Sequence, residues 1–140
     1  MTRLAALVLA AAALPAGAQA ACRNETDGPA RYVVCDFDPR TDDIRLFLNG
    51  ESGRPYGEFN LVNAALGAKG ETLLFAMNAG MYHKDRSPVG LYVENHEEKK
   101  RISTKDGPGN FHLKPNGVFW IDGDGAAGVT ETTEFERASP

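Results

Sequence analysis

Between residues 31 and 133, apolar positions fall in short runs broken by turn-forming residues, a pattern of strands more than of long helices. Residues 31–37 (RYVVCDF) are β-branched and aromatic and predict a strand. Residues 44–48 (IRLFL) predict a second, and the polar stretch 38–43 between them has turn chemistry, so the two read together as a hairpin. Residues 60–66 (NLVNAAL) predict a short helix, capped by Asn60 and ended by Gly67. The continuous apolar run 72–77 (TLLFAM) predicts a buried strand. It stops at Asn78-Ala79-Gly80, passes through a polar loop holding His83, Lys84, Asp85 and Arg86, and restarts in the strand-like 89–94.

Further on, 95–98 (NHEE) offers a polar turn, and 100–104 predicts an edge strand whose Lys100 and Arg101 suit an exposed edge. Phe111-His112-Leu113 and 118–121 (VFWI) flank Lys114-Pro115-Asn116-Gly117, where proline fixes φ and Asn-Gly reaches positive φ easily; this predicts another hairpin. As a strand residue, His112 would point to the face opposite Phe111 and Leu113. Residues 122–128 (DGDGAAG) read as a loop and 129–133 as a last strand, at a sheet edge with no closing element in 134–140. The expected class is α+β, a strand-rich mixed domain with one short helix.

The first residues bear on the compartment. Met1-Thr2-Arg3 carries one positive side chain, 4–14 is an Ala/Leu/Val stretch, and Ala18-Gln19-Ala20 is a small-x-small triplet. This is the form of a secretory signal peptide over 1–20, with cleavage after Ala20. The apolar stretch before Pro15 is about eleven residues, against about twenty for a membrane span. A mature domain over 21–140 is expected in the periplasm or secreted, with no membrane span after signal removal. Without Arg3 it carries 14 basic against 19 acidic residues, a net charge of −5. That balance, with no basic stripe, argues against nucleic-acid binding. Cys22 and Cys35 are the only cysteines, and in an oxidising compartment they most simply form one disulfide, worth roughly 3 kcal/mol on the loop-entropy account.

Several chemistries find no support. The loop beginning at Asp122 lacks the glycine and glutamate of an EF-hand, holding Ala127 and Thr133 at its sixth and twelfth positions. His83, His96 and His112 are too scattered to define a metal site by spacing, and none is proposed. There is no G-x-S-x-G and no phosphate-binding glycine loop, and no motif names a cofactor. Two stretches do place uncharged hydrogen-bonding side chains and glycines just beyond apolar runs: Asn78-Ala79-Gly80-Met81-Tyr82 with Pro88-Val89-Gly90, and Gly109-Asn110-Phe111 with 114–119. Asparagine offers both a donor and an acceptor, and glycine lets a backbone approach a ligand. On composition alone, tight turns are the favoured reading of both stretches.

The ordered set NAGMY, PVGLYVENHEE, GNFHLKPNGVFWI and GAAGVTET resembles the bacterial phosphodiester glycosidase family, which is similar to the catalytic domain of the lysosomal uncovering enzyme. The resemblance covers about residues 32–134. It implies a strand-dominated mixed fold and a hydrolase that releases a sugar from a phosphodiester, with a sugar phosphodiester or envelope glycan as partner. Asn78, Gly80 and Gly90 match the first cluster of motif positions, and Asn110, Asn116 and Gly117 the second, with His112 between them. The family's second half carries a Gly-Pro segment and a later arginine-glycine motif, neither found after Thr133, so the expectation is an incomplete copy of the family domain, its N-terminal portion.

A glycosyl phosphate needs little acid assistance, because phosphate already leaves well. What the reaction needs is stabilisation of an oxocarbenium-like transition state and placement of a nucleophile, usually by carboxylates. Asp85, Glu94 and Asp106 lie near the recognised segments, and Asp85, between the two pieces of the first motif, is the foremost catalytic candidate together with Asn78. His83, Lys84 and Arg86 beside it could meet a phosphate charge. The competing expectation is a non-catalytic envelope protein that binds a glycan or a partner.

Overall fold

Gly28 sits at φ +55 and, with Pro29, turns the chain tightly between two antiparallel strands, β1 (Ala21–Asp27) and β2 (Ala30–Asp36). Glycine in the first position of a two-residue loop, followed by a residue of fixed negative φ, matches the turn to strand twist. The computed structural model that shows this describes residues 21–138; the expected signal peptide, 1–20, lies outside the described residues. Cys22 stands directly opposite Cys35 in the register of this hairpin, and the two form the expected disulfide. The strand expected over 31–37 is therefore β2, but its partner is β1 and not 44–48. The polar sequence of β1 has no alternation to reveal it. Residues 44–48 form no strand: Leu48 instead accepts from the Tyr56 N–H at 2.9 Å, in a small turn with one bridge between Asn49 and Pro55.

Helix α1 (Phe59–Gly67) falls where the apolar spacing places it, with Val62 and Leu66 buried. Glu58, not Asn60, is its N-cap residue, and it makes no side-chain cap bond. The helix ends at Gly67, as expected; the chain then passes through Ala68 and reverses at Gly70, φ +78.

The run 72–77 is not a buried strand. It lies outside any sheet, and Leu74 and Met77 are 69% and 70% exposed. Apolar character alone made it read as core, but no strand among the described residues pairs with it.

Beyond it, β3 (Tyr92–Glu94) and β4 (Glu97–Lys100) form a hairpin around Asn95 and His96, at φ +53 and +63. Two successive left-handed residues define a type I′ turn. The edge strand expected over 100–104 thus lies earlier, because the turn is two residues long instead of four.

Phe111-His112-Leu113 is not a strand either. Asn110–His112 is a single 3₁₀ turn, and β5 (Gly117–Ile121) pairs forward with β6 (Ala127–Glu131). The alternation expected for His112 does not apply. The loop joining β5 to β6 is held by Asp122, whose Oδ1 accepts from the N–H groups of Asp124 (3.0 Å) and Ala126 (2.8 Å). That satisfied carboxylate explains the DGDG sequence as a loop. Trp120 spans the hairpin, donating from Nε1 to Thr130 Oγ1 at 2.9 Å, with its ring against Gly128.

A second helix, α2 (Thr132–Ala138), follows β6 directly and packs on β5 and β6, where no closing element was expected. Glu131 caps it, its Oε2 accepting from the Thr133 and Glu134 N–H groups at 2.8 and 3.0 Å. The class is α+β as expected, with three two-stranded antiparallel sheets and, among the described residues, two short helices instead of one.

Candidate functional site

The polar interruption at 81–89 is a miniature β-ribbon. Val89 N–H donates to Met81 C=O (3.0 Å), His83 N–H to Ser87 C=O (2.9 Å) and Arg86 N–H to His83 C=O (2.9 Å). The loop proper is Lys84-Asp85-Arg86, with Arg86 at φ +71. A three-residue hairpin loop places its third residue in the left-handed region, where glycine is the cheap choice. Arginine there costs roughly 1–2 kcal/mol of backbone strain.

Asp85 sets this loop. Its Oδ1 accepts from the Ser87 N–H (3.0 Å) and the Ser87 hydroxyl (2.7 Å). The Ser87 hydroxyl first, then the Ser87 backbone N–H, hold its carboxyl below the ordinary aspartate range. Asp85 is therefore a carboxylate at neutral pH and suits no role as a proton donor.

One wall of a cleft of about 410 Å³ is formed by Asp85, Arg86, Ser87 and Pro88. Leu48, Asn49 and Pro55 form the facing wall, and Lys99 of β4 completes it. The Arg86 guanidinium carbon lies 5.0 Å from the centre of the Tyr82 ring. Among the described residues Arg86 pairs with no carboxylate, while Lys99 pairs with Glu97 at the sheet edge. A neighbouring cleft of about 310 Å³ contains Arg45 and Lys69, but Arg45 is already engaged by Asp43 and Glu71. Among the described residues, the first cleft thus offers one guanidinium without a carboxylate partner, an ammonium paired with Glu97, and the Asp85 carboxylate.

The other expected site residues divide into two groups. Asn78 and Gly80 lie on exposed chain just before the ribbon and do not line the cleft. Gly90, Asn110, His112, Asn116 and Gly117 belong to a second cluster built on the 3₁₀ turn. A Cβ on Gly90 would stand 2.8 Å from the Phe111 ring, so the two recognised motifs touch there. Asn110 C=O accepts from the Leu113 N–H at 3.2 Å, closing the turn. His112 donates from Nδ1 to Lys105 C=O at 2.9 Å, which fixes its tautomer, and its ring packs on Gly107. Lys114 reaches Asp106 at 2.8 Å and Thr104 C=O at 3.0 Å.

Asn116 Nδ2 donates to Phe111 C=O at 2.9 Å, and its buried Oδ1 has no hydrogen-bond partner among the described residues. Gly117 opens β5 and admits Val129 Cγ1 and Thr130 C=O at 3.0 and 3.1 Å from where a Cβ would lie. These residues therefore have definite structural work in the turn and the hairpin. The structure brings together Gly90 with the 110–117 cluster, and Asp85 with Arg86 and Lys99, as two separate groups. Glu94, the other carboxylate near the motifs, accepts from the Leu48 N–H at 3.2 Å and faces the smaller cleft.

Lys99 was not a candidate on sequence. No local pattern marks it, because its place at the cleft depends on the β3–β4 hairpin folding back toward the ribbon.

The chain is 31% identical over 133 residues to the Escherichia coli (strain K12) protein named "Uncharacterized protein YigE". The match takes in 94% of this chain and 52% of that protein, so the chain spans about half the length of this relative. No family model matches the chain, and no solved structure does.

Proposed function

We propose that this is an exported protein that handles a sugar phosphodiester in the cell envelope, with the cleft beside Asp85 as the place where the phosphate is held. The observation that carries the reading is Arg86: a left-handed backbone position lining a cleft, occupied by a residue whose guanidinium lies against the Tyr82 ring and pairs with no carboxylate among the described residues. Strain at a loop tip is retained where the side chain it displays has a use. The Arg86 guanidinium, which pairs with no carboxylate among the described residues, suits a phosphodiester anion, with Lys99 available only by giving up Glu97, and the apolar Leu48 and Pro55 suit a sugar face. The disulfide supports an oxidising compartment. Among the described residues no helix is long and apolar enough to cross a membrane.

In the hydrolytic form of this reading, Asp85 is the ionised carboxylate that stabilises positive charge developing at the anomeric carbon. Water attacks the anomeric carbon as the bond from that carbon to the phosphate oxygen breaks; the phosphate monoester leaves as an anion against Arg86, and the proton of the attacking water passes to solvent.

The second form is binding without turnover. It is favoured by the lining itself, which among the described residues contains one carboxylate, Asp85, where glycosidic cleavage ordinarily uses two. A single assay separates the two forms. Incubation with a sugar-1-phosphodiester releases free sugar if the hydrolytic form holds, and release falls about a hundredfold or more in Asp85→Asn. Binding without any released sugar supports the second form. Neither binding nor release overturns both.

A further inference from the structure

Arg86 and Lys99 both line the cleft beside Asp85, but they stand in different states. Arg86 lies against the Tyr82 ring and pairs with no carboxylate among the described residues. Lys99 Nζ pairs with the Glu97 carboxylate, two residues back along β4 and so on the same side of the strand. Glu97 does not itself line the cleft, so it holds from outside an ammonium that the cleft would otherwise have free. In the register of the β3–β4 hairpin Glu97 stands directly opposite Glu94, across the Asn95-His96 turn. Like charges placed so are unfavourable, and Lys99 offsets their repulsion. Drawing Lys99 away therefore costs the ion pair and leaves two facing carboxylates.

We propose, on the reading of this cleft as a phosphodiester site, that Glu97 sets its charge selectivity: by holding Lys99 it fits the cleft to a phosphate diester monoanion and against a phosphate monoester dianion. A monoanion is matched by Arg86 alone. A dianion needs a second cation, must take it from Glu97, and meets the Asp85 carboxylate on the same wall. The diester and the monoester differ at the phosphate by one substituent and one charge, so an ion pair beside the cleft can tell them apart without touching the sugar. In the hydrolytic form the monoester is the product, and the Glu97–Lys99 pair keeps it from holding the site. Lys99 then stays on Glu97 when the diester binds, and it is a neighbour of the ligand instead of its counter-ion.

The test is an NMR titration of the full chain, well above neutral pH, with two probes that differ by one methyl group and one charge. Dimethyl phosphate is a monoanion, and methyl phosphate is a dianion above about pH 6. In the parent, methyl phosphate is expected to bind no more tightly than dimethyl phosphate, despite its extra charge. Glu97→Gln should tighten methyl phosphate by about three- to fivefold, the scale of a partly exposed ion pair, and leave dimethyl phosphate unchanged. The Glu97 side chain is 70% exposed, so the substitution disturbs no packing. With Lys99→Met in the same chain the gain from Glu97→Gln should vanish, which a general change of surface charge would not do. The proposal is overturned by a parent that prefers methyl phosphate, by a Glu97→Gln variant that keeps the parent's ratio of affinities, or by a gain that persists with Lys99→Met. Each of these leaves the phosphate reading of the cleft standing, whereas binding of neither probe removes both.

Discussion

The Phe111 ring occupies the space into which a side chain on Gly90 would grow, its Cε2 lying 2.8 Å from the ideal Cβ position. Gly90 ends the first of the two glycine- and asparagine-bearing stretches and Phe111 sits in the second, so this contact joins the two. Replacing Gly90 by Ala forces the ring to shift and is expected to cost about 1–3 kcal/mol, as overpacking does. Urea unfolding of the variant checks this. A midpoint equal to that of the parent would show that the ring yields freely and that the contact does not hold the stretches together.

Arg86→Gly separates structure from function at the ribbon. At φ +71 glycine relieves strain that arginine must bear, so the variant is expected to be as stable as the parent or up to about 1 kcal/mol more stable. Anion binding at the cleft should weaken about tenfold, the loss of one charge-assisted bond. Thermal unfolding and phosphodiester titration on the same sample decide the matter. A variant that is stabilised and binds equally well would reduce Arg86 to a turn residue.

Much of the local structure was legible because it depends on neighbours in sequence. Helix α1, strand β2, the Asn95-His96 turn and the DGDG loop all follow from spacing and turn chemistry within a few residues. What was not legible depends on distant partners. Strand β1 is polar and is fixed only by its register against β2 and the Cys22–Cys35 bond. The run 72–77 looked like core because nothing in an apolar sequence says whether a partner is there. Asn110–His112 has strand-like composition but turns, since Gly109 at φ +88 and the Asn116 side chain bond to Phe111 C=O bend it back. The cleft itself joins Asn49, Asp85 and Lys99, which no local pattern links.

Acid loosens the Asp85 ribbon first at its tip. The carboxyl is held below its ordinary value of about 3.9 by Ser87. A lowered folded-state value means that this contribution is fully present above the unfolded value and is lost as pH falls through the folded one. The Ser87 amide resonance should accordingly titrate with a midpoint below that of an exposed aspartate, and in Asp85→Asn this titration should disappear. A midpoint at or above the ordinary value would contradict the Asp85–Ser87 geometry.

Reduction of the disulfide should act locally. Cys22–Cys35 joins only β1 and β2, whereas α2 packs on β5 and β6. Reduction, or paired replacement by serine, is expected to fray the first hairpin at a cost of roughly 3 kcal/mol to its closure. Amide protection across Gly117–Ile121 and Ala127–Glu131 should be kept. Loss of protection in both hairpins at once would show that they fold as one unit.

The central claim is that the cleft between the Asn49 turn and the Asp85 ribbon takes a sugar phosphodiester, and the most direct measurement is a two-dimensional NMR titration of the chain with such a diester. The prediction is saturable shifts confined to Asn49, the amides of 84–88 and Lys99, weakened in Arg86→Gly and absent when the neutral parent sugar replaces the diester. Shifts that centre instead on the Asn110–Gly117 cluster, or none at all, would contradict it.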